Sequence, residues 1–333
     1  MLRATLHEQE IRLIIGVPGE GDLVVNGVAP LHAIEDRCLY FINHDVASPV
    51  REALAVRHGC IVIAPHGSAI ARGLGSCCVL EAARPRAAFT SVLAFIRDEH
   101  RQSPWVEARS ISPTAIISPL AVVEGHVEIG DSVVIEPFCT IGPDVAIGRD
   151  SVLRAGVRVY PRVSIGTGAV IGANAVIGSE GFGFVRDEAG NKRRIPHLGG
   201  VMIGNSVEIG ALAVVQQGTM TPTVIEDHVK IDDNVEIGHN ARVGRGASVT
   251  GGVVVGGSAV IEADAWIGMN SSIRDGRRVG VRALVGMDVS VQDDLSDEIV
   301  ARAPRPDVRA RPDDDDRASI GFAGRAKPIP WTS

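Results

Sequence analysis

The chain has 333 residues, a formal net charge of −7 at neutral pH and only 4% aromatic residues. An acidic balance with no basic run excludes nucleic acid as a principal partner. No stretch is apolar for long enough to cross a bilayer or to serve as a signal peptide, so no membrane span and a cytoplasmic location are expected.

Residues 1–107 lack any long-range period. Strand-like runs at Ile11–Ile15, Cys60–Ala64 and Cys77–Leu80 alternate with helical ones at Val50–His58 and Ala87–His100, which predicts a small N-terminal α/β domain. The five cysteines (Cys38, Cys60, Cys77, Cys78, Cys139) are odd in number and form no Cys-x-x-Cys pattern. Reduced, buried thiols are expected rather than a metal cluster or a disulfide frame.

Ser103-Pro104-Trp105-Val106 leads into a segment of a different kind. From Ile111 to Ile177 every sixth residue is aliphatic, and the same beat returns at Ile225 and runs to Val291. A period of six is neither the 3.6 of a helix nor the 2 of a plain strand. Two places before each aliphatic usually stands Val or a small residue (Val127, Val157, Ala175, Val235, Ala259), and Gly often follows it (Gly130, Gly148, Gly172, Gly238). Two inward positions separated by one outward residue, then a tight corner, describe a short strand and a turn. Three such units close a triangular coil of about 18 residues, and stacked coils build a parallel β-helix, predicted here over 108–295. The fold class is therefore mainly β, and a narrow interior of Ile, Val and Ala accounts for the scarcity of aromatics.

Two interruptions break the beat, predicting loops at 179–200 and 216–222, and interruptions are where repeat proteins carry function. After Asp293, Pro and Arg alternate with Asp313-Asp314-Asp315-Asp316, so 296–333 is expected to form an extended, solvated acidic tail.

Several motifs then follow one another: Gly27-Val28-Ala29-Pro30-Leu31-His32-Ala33, Glu180-Gly181-Phe182-Gly183-Phe184, Arg194-Ile195-Pro196-His197-Leu198-Gly199 and Lys230-Ile231-Asp232-Asp233-Asn234-Val235-Glu236-Ile237-Gly238-His239-Asn240. In this order they resemble the UDP-3-O-acylglucosamine N-acyltransferases of the lipid A pathway and relatives that acylate dTDP-linked 4-amino sugars. The resemblance implies a left-handed β-helix, a homotrimer with active sites between subunits, and transfer of an acyl group from a thioester to the amine of a UDP- or dTDP-linked amino sugar. The co-substrate would be acyl-CoA or an acyl carrier protein, with no other cofactor and no metal. Acyl-CoA is favoured, because an acidic tail repels an acidic carrier protein.

A sugar amine is largely protonated at neutral pH and must lose a proton before it attacks a thioester, and histidine is the side chain whose pKa suits that task. His239 follows the inward Ile237 by two places and so faces outward; the resemblance makes it the general base. Asp232 or Glu236 could orient the imidazole or hold the substrate ammonium. Gly257 stands one coil beyond His239, where the resemblance implies an oxyanion donor through its backbone N–H, although a corner glycine needed for the turn fits equally. Phe182, Phe184, His197, Asp233 and Asn240 are substrate-binding candidates from the matching motifs. In the first domain Tyr40 would stack a pyrimidine and Asn43 bond its edge, with Val46 where a second aromatic is usual.

Departures from the family are equally specific. Gln216-Gln217-Gly218 replaces an Asp-Arg-Gly, and Gly276, between Asp275 and Arg277, falls where the family has a second histidine. A non-catalytic scaffold that binds nucleotide sugars is the alternative of another class.

Overall fold

The computed structural model describes residues 2–304 apart from 45–46, 69–73, 75, 102–108 and 188. The linker around Trp105, Val46 and the expected tail from 305 onward lie outside the described residues. Residues 2–101 form a five-stranded sheet in the order β1-β2-β3-β4-β5. β1 (Leu2–His7) runs antiparallel to β2 (Val24–Val28), while β3 (Cys38–Phe41), β4 (Ile61–Pro65) and β5 (Cys78–Ala82) continue in parallel. The helices are α1 (Glu8–Ile15), α2 (Ser48–Ala55) and α3 (Pro85–Arg101).

Ile11–Ile15 is thus helical, not the strand its aliphatic run suggests. The Glu10 carboxylate accepts the His7 N–H at 2.9 Å, closing a capping box, and Gly16 ends the helix in the left-handed region at φ 69°. Ile11 is buried while Leu13 is 83% exposed, a division that follows helical rather than strand periodicity.

The sheet has two apolar faces. Leu39, Ile61, Ile63 and Leu80 pack under α1 and α3 with Phe89 and Leu93, and Phe41 lies against this cluster. Cys38, Tyr40, Ile42 and Val62 point to the opposite face, beside Leu54 of α2. Strand alternation makes neighbours in β3 belong to different cores, which matters for the site.

From Arg109 to Ala301 short strands fall in turn into three parallel sheets of nine, nine and ten strands. Ile135 pairs with Ile117 on one side and Leu153 on the other, so inward residues stack as columns. Across the first loop the register is kept, Ile171 pairing with Ile209. Ile171, Val207, Ile237 and Ile267 are fully buried, each contributing roughly 1.5–3 kcal/mol of apolar burial. The glycine after each aliphatic answers a close approach between coils: a Cβ on Gly172 would lie 2.5 Å from the Ala211 backbone N. Mainly β, a parallel β-helix and a winding consistent with a left hand agree with the sequence expectation. Its end does not, since Val300–Ala301 still pair with Leu284–Val285 and the prism continues past 295. Among the described residues no helix is long and apolar enough to cross a membrane.

Both interruptions leave the prism at one corner. The first carries an antiparallel hairpin, Phe184–Arg186 against Lys192–Arg194. The second is fastened to it by backbone bonds, with Gly199 N–H donating to Gly218 O at 2.8 Å and Leu198 N–H to Thr219 O at 2.9 Å. Ile195, Leu198 and Met220 join the apolar cluster under α3, which seats the first domain against the loops.

Candidate active site

A cleft of about 920 Å³ opens where the two loops, the first domain and the prism meet. Its apolar wall comes from Phe41, Phe89 and Leu93 of the first domain with Ile195 and Met220 of the loops. Its polar groups include the two imidazoles of His197 and His239, with Asn240, Asp275, Arg86 and Arg242, the last engaged by Glu226.

His239 sits at the corner after Ile237, half-buried, on the expected outward position. Its ring meets that of His197 edge to face, with centroids 4.9 Å apart. Asn240, held in the left-handed region at φ 58°, places its side-chain Nδ2 2.8 Å from His239 Nδ1. Asn240 Oδ1 accepts the Thr219 N–H at 2.7 Å, which assigns the amide and makes Nδ2 the donor to the imidazole. The resting neutral ring therefore carries its proton on Nε2. For Nε2 to accept a proton, Asn240 must turn its amide and release Thr219.

Burial pushes the His239 imidazole below the ordinary value of 6.5; the Asp275 carboxylate pulls it back and the Arg86 guanidinium pushes it further down. Burial, aided by His239, lowers His197 to about 4 against the opposing pull of the Ile195 backbone, and its Nδ1 has no partner in hydrogen-bond geometry among the described residues. Both rings are accordingly neutral at neutral pH. His197 binds a proton more weakly folded, at about 4, than unfolded, at about 6.5, so on acidification the unfolded chain is protonated first. Its contribution to stability is complete above about 6.5, declines between about 6.5 and 4, and changes no further below that. Urea unfolding of the wild type and of His197→Gln over this range is expected to show a shallower pH slope in the variant; equal slopes would contradict this.

Gly181 and Gly257 close on His239 from two sides. A Cβ at Gly181 would lie 2.7 Å from His239 Cβ and 2.8 Å from His197 Nε2, and one at Gly257 would lie 2.7 Å from His239 Nε2. The Gly257 N–H, expected to face an oxyanion, instead donates to Asp275 Oδ1 at 2.9 Å. It is a corner bond of the kind the Ala211 N–H makes with Asp233 Oδ1 at 2.6 Å.

The other expected residues divide. Phe182 (79% exposed) and Phe184 line the cleft mouth with rings 5.0 Å apart, and the Arg194 guanidinium lies 4.7 Å from the Phe184 centroid. Asp232 and Asp233 do not enter the cleft: they brace the preceding corner, Asp232 Oδ2 accepting the Gly251 N–H at 3.0 Å. Glu236 accepts from Gln216 Nε2 at 2.9 Å, and Gln216 Oε1 accepts the His239 backbone N–H at 3.2 Å, so Glu236 reaches the backbone and not the ring. Gln217 is buried, and Gly276 forms a corner at φ 67°.

Tyr40 is fully buried on the far face of the sheet, its hydroxyl donating to Glu35 O at 2.8 Å, so it cannot stack a base. Its neighbour Phe41 faces the cleft instead, against Phe89 with centroids 4.7 Å apart. Asn43 is half-buried and does not line the cleft. Sequence reading missed Phe41, Phe89, Arg86 and Asp275; recognising β3 as a strand would have put Phe41 and Tyr40 on opposite faces.

The bacterial transferase hexapeptide (six repeats) family profile matches residues 126–160, 144–179 and 222–257. A UDP-3-O-acylglucosamine N-acyltransferase of Albidiferax ferrireducens is 44% identical over 213 residues, covering 64% of this chain and 60% of that protein. One of Coxiella burnetii is 32% identical over 234 residues, covering 67% of this chain and 66% of that protein. The chain thus spans less than two thirds of the length of either relative. Among solved structures, the UDP-N-acetylglucosamine acyltransferase of Francisella novicida matches with a TM-score of 0.49 at 25% identity, covering 58% of this chain and 66% of that one. The chain carries hexapeptide repeats and is similar in sequence to UDP-3-O-acylglucosamine N-acyltransferases.

Proposed function

We propose that the chain is an N-acyltransferase that moves an acyl group from a thioester to the amine of a UDP-linked amino sugar, with His239 as general base. The carrying observation is a neutral, half-buried imidazole in a large cleft whose opposite wall is apolar. The 44% identity to a named UDP-3-O-acylglucosamine N-acyltransferase supports the same reading. Asp275 supplies the carboxylate that attracts the substrate ammonium, the role first considered for Asp232 and Glu236. After one proton is lost to solvent and Asn240 has turned its amide, so that the ring proton sits on Nδ1, the free amine attacks the thioester carbonyl while His239 Nε2 takes the second proton. The tetrahedral intermediate then breaks its C–S bond, and the imidazolium returns the proton to the leaving thiolate. Desolvation favours this cycle because it keeps the resting base uncharged.

A homotrimer fits the exposed apolar side chains Ile116, Val122, Phe138, Val254 and Trp266 along the prism, which subunit packing would cover. The thioester donor is acyl-CoA or an acyl carrier protein; the four consecutive aspartates at 313–316 disfavour an acidic carrier only locally, since acidic and basic residues balance over 296–333. The test incubates the full chain with UDP- and dTDP-amino sugars, each with acyl-CoA or acyl carrier protein. Free thiol is expected only when an amino sugar and a thioester are both present. No release from any pair would overturn the reading in favour of a non-catalytic binder.

A further inference from the structure

We propose that Arg86, on the first-domain wall of the cleft, grips the diphosphate of the nucleotide sugar and so sets the distance from the nucleotide to the amine at His239. The inference rests on the acceptor named above and adds the residue that recognises it. Arg86 stands exposed in the first turn of α3 and lines the same cleft as His239. Its neighbours are committed to the fold: Arg84 Nη1 donates to Asp187 O at 2.7 Å, Arg193 Nη1 meets Ser91 Oγ at 3.1 Å, and Arg194 Nη1 donates to Gly181 O at 2.9 Å. The Arg86 guanidinium makes no hydrogen bond or ion pair among the described residues, although the backbone O of Arg86 accepts from Thr90 Oγ1 at 2.7 Å.

Helix stability does not explain it. The first turn of a helix presents unpaired N–H groups and the positive end of the dipole, which favours acidic residues there. The first turn of α3 has none and carries a cation instead. On the adjoining hairpin Arg186, Lys192, Arg193 and Arg194 are exposed, and among the described residues only Arg194 of these four pairs with a carboxylate, Glu180 at 3.8 Å. Together with Arg86 and Arg84 these cations put positive charge beside the cleft in a chain of net charge −7, which suits a polyanion entering it. His197, 2% exposed and with Nδ1 outside hydrogen-bond geometry to any described residue, lines the same space and suits it to a polar guest.

A planar guanidinium fork fits phosphate oxygens two at a time. In a nucleotide sugar the diphosphate is attached to the ring that bears the amine, so both fit within one cleft. In coenzyme A a long pantetheine arm separates diphosphate from thioester, which places that diphosphate beyond the cleft.

Calorimetric titration of the full chain with UDP, uridine and coenzyme A, in wild type, Arg86→Ala and Arg86→Lys, tests this. Arg86→Ala is expected to weaken UDP by about tenfold to a hundredfold, Arg86→Lys by less, and to leave uridine and coenzyme A unchanged. Unchanged UDP affinity, no UDP binding to the wild type, or a loss confined to coenzyme A would each overturn it. Acyl transfer assayed in parallel separates the two proposals. Turnover with Arg86-independent UDP binding sinks only the role of Arg86. Arg86-dependent UDP binding without turnover sinks only the acyltransferase reading.

Discussion

Alanine at His239 is expected to lower turnover by about two to four orders of magnitude, the range that a positioned general base supplies. The ring is half-buried and contacts His197 and Asn240, while the column residue Ile237 carries the packing of that corner. Truncation therefore removes the proposed proton acceptor and leaves the coil standing, and the thermal midpoint should shift by only a few degrees. Turnover at saturating substrates and a melting curve on the same preparation check both halves. Turnover within tenfold of wild type would remove His239 from the chemistry.

Gly257→Ala is expected to lower turnover about a hundredfold without touching a titratable group. Its φ lies outside the left-handed region, so alanine fits the backbone, and the N–H bond to Asp275 survives. The added methyl, however, would lie 2.7 Å from His239 Nε2 and 2.9 Å from Cε1, so the ring must move. Displacing a catalytic group by an ångström can carry a penalty of that size. Initial rates at saturating substrates, with circular dichroism to verify the fold, check it. Wild-type turnover would show that the ring has room and that Nε2 is not held against this glycine.

The prism was legible because its constraint is repeated: each inward Ile or Val must sit on another one coil away, so the pattern recurs until it is unmistakable. The outward placement of His239 was legible for a related reason, since two places beyond Ile237 is an outward position in any coil. What escaped were features fixed by single long-range contacts. Whether Tyr40 or Phe41 faces the cleft depends on which side of β3 the loops cover. The Gly257 N–H is taken by a carboxylate 18 residues later, Asp275 Oδ1, and Asp232 and Asp233 serve their own corner in the same way. The aliphatic run Ile11–Ile15 looked like a strand because its side chains are; the capping box and Gly16 outweigh that preference. The pairing of the two loops through Gly199 and Gly218 brings His197 to His239, and no local pattern announces it.

Mass analysis of the nucleotide sugar after incubation with the full chain and a thioester tests the central claim most directly. The amino sugar is expected to gain the mass of one acyl group through an amide that survives hydroxylamine. An unchanged sugar in every pairing, or an ester that hydroxylamine cleaves, would contradict it.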